Sequence, residues 1–364
     1  MTISLRCQQL NVSGIRKVFD LASSMKNPVN LSIGQPDFDI PSVVKEAAIR
    51  EIQAGNNRYT PSAGIQQLRD KIQSSLNERG LITESVMLTS GVSGGLLLSL
   101  MALLNPGDEV LVPDPYFVMY DQLPPLIGAK VIKIDTYPDF RLDPEKLKEV
   151  ITPKTKILFL NNPSNPTGRI LNEKRMKEIA EILRGTPVWV ISDEIYEAFD
   201  YENQLVSFGK YHEKTLTLNG FSKSAGMPGW RMGYAAGPKM IIDAMINLQQ
   251  YTFVCAPSFA QHACLTAWDI STDHIRDAYR KKRNLVMEAL SPFYDIQKPD
   301  GAFYFFMKHH SMNGDDLVMN ALKKEVLLVP GSVFSQKNTH FRLSFANSDS
   351  ELKRGIERLR EIGK

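Results

Sequence analysis

Residues 221–234 read FSKSAGMPGWRMGY and directly follow a strand-like run, Thr215–Leu218. The segment is rich in glycine and other small residues, which lets backbone or a ligand approach closely. It places Ser222 beside Lys223 and Arg231 eight residues after the lysine. A serine hydroxyl and an arginine guanidinium can both hydrogen-bond a phosphate, the arginine with two parallel bonds. An arbitrary lysine is a solvated surface cation. A lysine held beside a phosphate site instead indicates a phosphorylated aldehyde as the ligand.

Strand-like and helical patterns alternate on both sides of this segment, from about Ser42 to about Asp269. Such alternation is typical of an α/β fold, in which helices flank a mostly parallel sheet. Residues 42–270 are therefore predicted to form a large domain around a mostly parallel seven-stranded sheet. The predicted strands, several of them β-branched, are Val86–Thr89, Glu109–Pro113, Lys130–Ile134, Ile157–Leu160, Val188–Ser192, Thr215–Leu218 and Gly233–Ala236.

The pattern changes after Asp273 to a long charged helix, further strand-like runs and a last helix. Ser348, with Glu351 three residues on, forms a capping box that opens this last helix. Residues before about Pro41 have no periodic core of their own. We expect residues 1–41 and 271–364 to form a smaller, discontinuous α+β domain with a cleft beside the large one. Its predicted strands are Ala302–Phe306, Val326–Val329 and Phe341–Phe345.

The segment 221–234 resembles the lysine motif of class I and II aminotransferases, Ser-Lys followed by Gly-Trp-Arg-x-Gly-Tyr. Enzymes of this family use pyridoxal 5'-phosphate. The resemblance implies that Lys223 is the catalytic residue and carries the cofactor as a Schiff base, with Ser222 and Arg231 at the cofactor phosphate. Further segments resemble the family's other signatures in the same order and cover nearly the whole chain.

Two of these segments, NNPSNPTG and SDEIY, each end a predicted strand. In the first, the resemblance implies that Asn165 hydrogen-bonds the phenolic oxygen of the cofactor, with Tyr196 of the second segment as the other donor. Asp193 lies at the carboxyl end of its strand, where open α/β sheets place ligand sites, and the resemblance implies that it faces the pyridine nitrogen. A carboxylate there keeps the ring protonated. Glu194 points the opposite way in a continuing strand and is interpreted as a structural acid.

The segment TSGVSGG joins a predicted strand to a helix, and a helix N-terminus binds phosphate through its free N–H groups. The resemblance assigns Val92, Ser93 and Gly94 to the cofactor phosphate. Another segment, PDPYF, ends the next predicted strand. Its Tyr116 suits core packing equally well, and the resemblance implies that it stacks on the cofactor ring.

Two outlying segments, SIGQPD and FRLSF, complete the predicted site with Gly34 and Arg342. Arg342 sits in an alternating apolar strand, where a charge needs a partner such as a bound carboxylate. The resemblance implies that Arg342 binds the substrate α-carboxylate, with Gly34 and Asn165 beside it. Tyr59 matches a family tyrosine that reaches the phosphate in the neighbouring subunit's site. A homodimer with the site at the subunit interface is thereby implied.

Composition and charge argue against several other kinds of partner. A net charge of +3, from 43 basic and 40 acidic residues, gives no field that favours nucleic acid or a membrane surface. The basic run 280–283 falls within a helical pattern and is interpreted as solvated helix surface. No apolar run is long enough to span a bilayer, and the first thirty residues lack a signal-peptide core. The three cysteines suggest neither a disulfide framework nor a metal site, so a reducing cytoplasm is expected.

The predicted activity is transfer of an amino group from an L-amino acid to a 2-oxo acid with ping-pong kinetics. Lys223 is expected to carry the Cα proton. Aspartate or an aromatic amino acid is the favoured donor, but Arg342 reads only the carboxylate that all amino acids share. A β-elimination carbon–sulfur lyase on the same fold and cofactor is the alternative. A cofactor-sensing regulatory module and a purely structural protein are disfavoured, the first by the short segment ahead of the large domain and the second by the complete set of site residues.

Overall fold

The computed structural model describes residues 3–10, 25 and 27–364. The helices are α1 Leu5–Gln9, α2 Ser42–Gln53, α3 Gln66–Glu78, α4 Gly91–Leu103, α5 Val118–Leu126, α6 Pro144–Val150, α7 Glu173–Leu183, α8 Phe221–Ser224, α9 Lys239–Gln250, α10 Ser258–Trp268, α11 Asp273–Leu290, α12 Gly314–Lys323 and α13 Asp349–Ile362. The strands are β1 Val29–Asn30, β2 Ser85–Ser90, β3 Glu109–Asp114, β4 Lys130–Asp135, β5 Thr155–Asn161, β6 Trp189–Asp193, β7 Thr215–Gly220, β8 Met232–Gly237, β9 Tyr294–Ile296, β10 Tyr304–His309, β11 Val326–Leu327, β12 Val329–Pro330 and β13 His340–Ser344. Within the described residues, none of these helices combines the length and apolar character needed to cross a lipid bilayer.

The large sheet contains all seven strands predicted for it, in the order β2-β8-β7-β6-β5-β3-β4. Strand β8 is antiparallel to both of its neighbours, and the other pairings are parallel. Alternate residues of β5 are buried on opposite faces: Ile157 and Phe159 pack with helices α4 and α9, whereas Leu158 and Leu160 pack with α6 and α7. Burial on both faces explains the near-continuous apolar strands. The predicted α/β fold class is confirmed.

One edge of this sheet collects the ends of several strands. Because β2 and β7 are both antiparallel to β8, β2 runs in the same direction as β5, β6 and β7. Their carboxyl ends, at Ser90, Asn161, Asp193 and Gly220, therefore lie at the same edge. Ligands of open α/β sheets bind at this edge, so the sheet positions the residues that follow these strands around one cavity.

A second, smaller unit contains an antiparallel sheet in the order β12-β13-β10-β9. Helices α11, α12 and α13 contribute to the buried core shared with this sheet. The short strand β1 pairs in parallel with β11, which ties residues 29–30 to the C-terminal part of the chain. The run Val326–Val329, predicted as one strand, is divided between two sheets, with β11 in one and β12 in the other. The exact domain boundaries remain predictions.

The basic run in α11 is not uniformly solvated, which corrects its interpretation from the sequence. Arg283 is 2% exposed and lies on the inner face of the helix. Its guanidinium donates to Glu202 Oε1 and to the Pro299 carbonyl oxygen, both at 3.1 Å, and lies 4.7 Å from the centroid of the Tyr201 ring. A buried arginine needs such partners. One residue of the run therefore packs inside the protein, where helix α11 meets Tyr201 and Glu202 from residues 42–270.

We expect Gly233→Ala to lower the free energy of unfolding by about 1–3 kcal/mol, as overpacking of a rigid site does. A Cβ at Gly233 would lie 2.6 Å from the Gly91 carbonyl carbon and 2.8 Å from the Val92 nitrogen, and backbone atoms cannot rotate away. Gly229→Ala is the matched control, because nothing lies within 4 Å of its Cβ position. The midpoint of urea unfolding checks this. Equal midpoints for the two variants would contradict it.

Candidate active site

A cavity of about 280 Å³ lies between the carboxyl edge of the large sheet and strands β10 and β13. Most of the residues predicted for the site line it: Gly34, Val92, Ser93, Asn165, Asp193, Tyr196, Ser222, Lys223, Arg231 and Arg342. They come from segments far apart in the sequence, and the fold brings them together. The cavity is also lined by residues that the motifs did not single out: Leu96, Phe117, Tyr120, Asn161, Ile195, Pro228 and Tyr304.

Lys223 projects from the short helix α8, directly after β7. Gly220 permits this tight connection, because a Cβ there would lie 2.6 Å from the Met232 carbonyl oxygen. The Lys223 Nζ donates a hydrogen bond to the Gly34 carbonyl oxygen. Burial, followed by the nearby Arg342 and Arg231 charges, lowers the pKa of Lys223 to about 8. An appreciable fraction of the amine is therefore neutral near physiological pH, as a nucleophile or a base requires.

Asp193 is buried at the end of β6 and is held in place by two donors. The Tyr120 hydroxyl donates to its Oδ2 at 2.7 Å, and the Ile195 N–H donates to its Oδ1 at 3.2 Å. Burial raises the pKa of Asp193 to about 6, while the Tyr120 hydrogen bond opposes that rise. The carboxyl group is thus mainly ionised at neutral pH. Tyr120 is fixed in turn by stacking on Phe159, with ring centroids 4.6 Å apart.

Glu194, the next residue, faces away from the cavity, as expected from strand alternation. Its Oε1 accepts from the Ser192 hydroxyl at 2.8 Å and the Ser207 hydroxyl at 2.6 Å. Burial raises the pKa of Glu194 to about 7. The hydrogen bonds satisfy a buried acid within the protein, which supports a structural role.

Arg342 is buried in β13, with 1% of its surface exposed. Its Nη1 donates to Asn165 Oδ1 at 2.9 Å and its Nη2 donates to the Ser32 carbonyl oxygen at 2.7 Å. The guanidinium carbon lies 4.5 Å from the Tyr304 ring centroid and 4.6 Å from that of Phe334. Within the described part of the chain, its Nε has no hydrogen-bond partner and the group has no acidic partner. A buried cation of this kind is suited to an incoming carboxylate.

Arg231 lies beside the N-terminus of α4. Its Nη1 donates to the Pro228 carbonyl oxygen at 3.0 Å, and its Nη2 lies 3.5 Å from Ser93 Oγ. Across the described residues, no carboxylate forms an ion pair with it. The N–H groups of Val92 and Ser93 belong to the first turn of α4, where backbone donors lack intrahelical acceptors. Together with Arg231 they form a place for an anion.

The structure corrects the assignment of Tyr116, because Phe117 lines the cavity and Tyr116 does not. The Tyr116 hydroxyl accepts from Lys133 Nζ at 2.8 Å, and the Lys133 Nζ also lies 4.6 Å from its ring centroid. Its backbone N–H donates to the Phe334 carbonyl oxygen. These contacts turn Tyr116 towards strand β4, so Phe117 is the one of these two adjacent aromatic residues that faces the cavity.

Gly94 also lies outside the cavity lining. Helix α4 begins at Gly91, so the N–H of Gly94 is the first that the helix ladder itself uses, with the Ser90 carbonyl as acceptor. Val92 and Ser93 therefore remain as the predicted backbone donors, and Gly94 does not. Tyr59 is 83% exposed and does not line the cavity of its own chain. Its assignment to a neighbouring subunit stays a prediction.

Some lining residues escaped sequence reasoning because their roles depend on three-dimensional contacts. Asn161 holds the loop after β5: its Oδ1 accepts from the Asn165 N–H at 2.7 Å, and its Nδ2 donates to the Asp193 carbonyl oxygen at 3.0 Å. The pair of asparagines before Pro163 is the feature of the sequence that could have indicated this role. Tyr304 interrupts a run of phenylalanines with a hydroxyl, and a buried hydroxyl requires a partner.

Comparison with known proteins identifies the class of this chain. The family model described as aminotransferase class I and II matches residues 26–359, and the chain belongs to this family. It is similar to a probable aspartate aminotransferase of Methanocaldococcus jannaschii, with 36% identity and 99% of each chain covered. It is also similar to aromatic-amino-acid aminotransferase 2 of Thermococcus litoralis, with 34% identity over 100% of this chain and 98% of the other.

Solved structures agree with this membership. An aspartate aminotransferase from Thermus thermophilus with maleate superposes with a TM-score of 0.95 and 34% identity, covering 100% of both chains. The chain is therefore an aminotransferase, which confirms the predicted class of enzyme. These likenesses do not favour the alternative of a carbon–sulfur lyase.

We expect Asp193→Asn to stabilise the cofactor-free protein at neutral pH. A carboxyl group whose pKa rises from 3.8 to about 6 on folding binds its proton more tightly when folded. Its contribution to stability is present below pH 4 and is lost as the pH rises to about 6. The stability of the variant relative to wild type should increase over that range by on the order of 1–3 kcal/mol. Urea unfolding at pH 4 and pH 7.5 measures this, and a difference independent of pH would contradict it.

Proposed function

We propose that this aminotransferase uses pyridoxal 5'-phosphate, held by Lys223, to transfer an amino group from an L-amino acid to a 2-oxo acid. The observation that carries the proposal is the charge of the cavity. Lys223, Arg231 and Arg342 face it, whereas Asp193 is the single acid among the described lining residues. Unbalanced buried charge is unfavourable, so the cavity suits ligands that bring negative groups.

The residues present fit pyridoxal phosphate and an amino acid together. The phosphate matches Arg231 and the free N–H groups at the start of α4, and the substrate carboxylate matches the unpartnered Nε of Arg342. A protonated ring nitrogen matches the ionised Asp193. Asn165 uses its Oδ1 to accept from Arg342, which leaves its Nδ2 to donate to a phenolic oxygen. Each charge of the ligands thus has a counterpart.

The holding groups have distinct tasks. Arg231, Ser222, Ser93 and the backbone of Val92 would hold the phosphate. Asp193 would keep a proton on the ring nitrogen, because a buried carboxylate held by Tyr120 favours a neighbouring cation. Asn165 and Tyr196 would donate to the phenolic oxygen, and Phe117 would pack on the ring. The cofactor is thereby oriented from several sides.

The chemistry at the substrate depends on Lys223 and Arg342. When bound, pyridoxal phosphate supplies an aldehyde that condenses with amines and a cationic ring that withdraws electrons from the substrate Cα. Arg342 would bind the α-carboxylate with the two-pronged geometry of its guanidinium. Lys223, with a pKa of about 8, would take the proton from the substrate Cα and deliver it to the former aldehyde carbon of the cofactor. A second oxo acid then reverses the steps, which gives ping-pong kinetics.

Aspartate and aromatic amino acids are the proposed donors. Relatives of both specificities resemble the chain over nearly its full length. The Phe117, Leu96 and Ile195 side chains give the cavity an apolar wall, which suits a planar aromatic side chain. For aspartate the proposal rests on the relatives, because the described lining residues offer its side-chain carboxylate no arginine besides Arg231 and Arg342.

A homodimer with the cavity at the subunit interface is the proposed assembly. Four large side chains are exposed in two adjoining segments: Tyr59, Tyr251, Phe253 and Val254. The segments adjoin because Gln249 Nε2 donates to the Ser62 carbonyl oxygen. A Cβ at Gly94 would lie 3.6 Å from Phe253, which places this group beside the start of α4. Grouped exposed apolar side chains mark interaction surfaces, and here the surface borders the phosphate site.

The cytoplasm is the proposed compartment. Cys7, Cys255 and Cys264 are all free. Proteins of oxidising compartments commonly pair their cysteines, whereas cytosolic proteins keep them reduced. The chemistry of amino acids and 2-oxo acids is compatible with that location.

Arg342→Ala should lower kcat/KM for every amino-acid donor by about 10²- to 10⁴-fold, because two charge-assisted hydrogen bonds of about 1.5–3 kcal/mol each are lost. Arg184→Ala is the control, since Arg184 pairs with Glu181 on the surface. Steady-state kinetics with aspartate and phenylalanine measures both variants. Near-normal kinetics for Arg342→Ala would refute its role.

Lys223→Ala should lower kcat by at least about 10²- to 10⁴-fold, the usual contribution of a positioned acid–base group. Lys223→Arg serves as the companion variant, because it keeps the positive charge but loses an amine that deprotonates near pH 8. Both variants should be inactive to a similar extent in a coupled assay of oxo-acid release. Activity retained by Lys223→Arg would show that charge alone suffices and would contradict the proposed role.

A further inference from the structure

Tyr304 contacts three of the residues assigned to the site, although no motif singled it out. It opens strand β10 and is fully buried. Its hydroxyl oxygen lies 2.9 Å from the Tyr196 hydroxyl oxygen, and its ring centroid lies 4.5 Å from the guanidinium carbon of Arg342. A Cβ at Gly34 would lie 2.7 Å from the Tyr304 hydroxyl, so the glycine leaves room for that group. One side chain thus joins the cofactor-facing and substrate-facing parts of the cavity.

The direction of the hydrogen bond between the two tyrosines follows from their proton count. A phenol has one O–H to donate. If Tyr196 donates its proton to the phenolic oxygen of the cofactor, its own oxygen must accept from Tyr304. The donors then form a chain from Tyr304 to Tyr196 to the cofactor. Hydrogen bonds in such chains strengthen one another by about 10–30% per bond.

The ring of Tyr304 performs a separate task at Arg342. Together with Phe334, whose centroid lies 4.6 Å from the guanidinium carbon, it places the cation between two aromatic rings. Aromatic faces attract cations, most strongly in sites from which water is excluded. The guanidinium is therefore held in position before a carboxylate binds.

We propose that Tyr304 is a positioning residue of the transamination reaction: its hydroxyl strengthens the Tyr196 hydrogen bond to the cofactor, and its ring holds Arg342 for the α-carboxylate. This inference rests on the proposed function, because it requires the cofactor and substrate to bind as described above. The two tasks belong to different atoms of one side chain. They can therefore be separated by substitution.

The hydroxyl has a spectroscopic consequence. In the loaded enzyme, the visible absorbance changes with pH as a proton leaves the nitrogen that joins Lys223 to the cofactor. The neighbouring phenolic oxygen retains this proton more strongly when it carries more negative charge. A strong donor at Tyr196 withdraws that charge and lowers the midpoint of the titration. Loss of the Tyr304 hydroxyl weakens that donor, so the midpoint should rise.

Tyr304→Phe in the loaded enzyme tests the hydroxyl directly. We expect the absorbance midpoint to move upward by about half a pH unit, and Tyr196→Phe to move it further in the same direction. Tyr294→Phe is the control, because its buried hydroxyl donates to the Leu359 carbonyl oxygen at 2.7 Å in the smaller unit and should leave the midpoint unchanged. A Tyr196→Phe shift with none for Tyr304→Phe would overturn the inference.

Failure of the proposed function would look different. If the wild-type protein gains no visible absorbance with pyridoxal phosphate, the assignment of the cofactor is wrong. If Tyr196→Phe leaves the midpoint unchanged, the role of Tyr196 is wrong, and the inference for Tyr304 falls with it. A downward shift for Tyr304→Phe would also overturn the inference.

The ring is tested by comparing Tyr304→Phe with Tyr304→Leu. Tyr304→Phe keeps the aromatic face and should change KM for the amino acid less than about threefold, whereas Tyr304→Leu should raise KM about tenfold through loss of the cation–π contact. Equal KM values for the two variants would overturn the role of the ring. Far-UV circular dichroism and cofactor content establish that each variant is folded and loaded.

Discussion

The site depends on a buried hydrogen bond that crosses the cavity, from Arg342 Nη1 to Asn165 Oδ1 at 2.9 Å. Arg342 comes from the antiparallel sheet of the smaller unit, and Asn165 comes from the loop after β5 of the large sheet. The bond therefore links the two units across the cavity. It also sets the amide of Asn165 so that its Nδ2 is available for the cofactor. Under the proposed function, this contact would couple the binding of the substrate carboxylate at Arg342 to the binding of the cofactor at Asn165.

The cavity combines this contact with groups whose pKa values are shifted towards one another. Burial and neighbouring cations lower the pKa of Lys223 to about 8, and burial raises that of Asp193 to about 6. Both shifts bring the pKa values closer to neutral pH, and a group whose pKa lies near the working pH exchanges protons most efficiently. The fold supplies the burial, since Asp193 ends the central strand β6 and Lys223 lies just after the neighbouring strand β7. Burying the ionised Asp193 lowers the free energy of unfolding of the cofactor-free protein at neutral pH.

Much of the fold and the site could be predicted from the sequence because their signals are local. The strands of the large sheet are short buried runs between turns, and Lys223, Asp193, Asn165 and Arg342 sit in recognisable segments. The errors have another origin. Tyr116 and Phe117 are adjacent aromatics, and the choice between them depends on Lys133 and Phe334, which are distant in sequence. The hydroxyl contacts of Tyr120 with Asp193 and of Tyr304 with Tyr196 join residues far apart in the sequence, and no local pattern encodes them.

The most direct test of the central claim is a half-reaction. The protein loaded with pyridoxal phosphate is mixed with aspartate or phenylalanine in the absence of any oxo acid, and the oxo acid and ammonia released are quantified. We predict about one equivalent of 2-oxo acid per subunit, no ammonia, and no further product until a second oxo acid is added. Continued turnover with release of ammonia, or no product before the second substrate binds, would contradict transfer of the amino group through the enzyme.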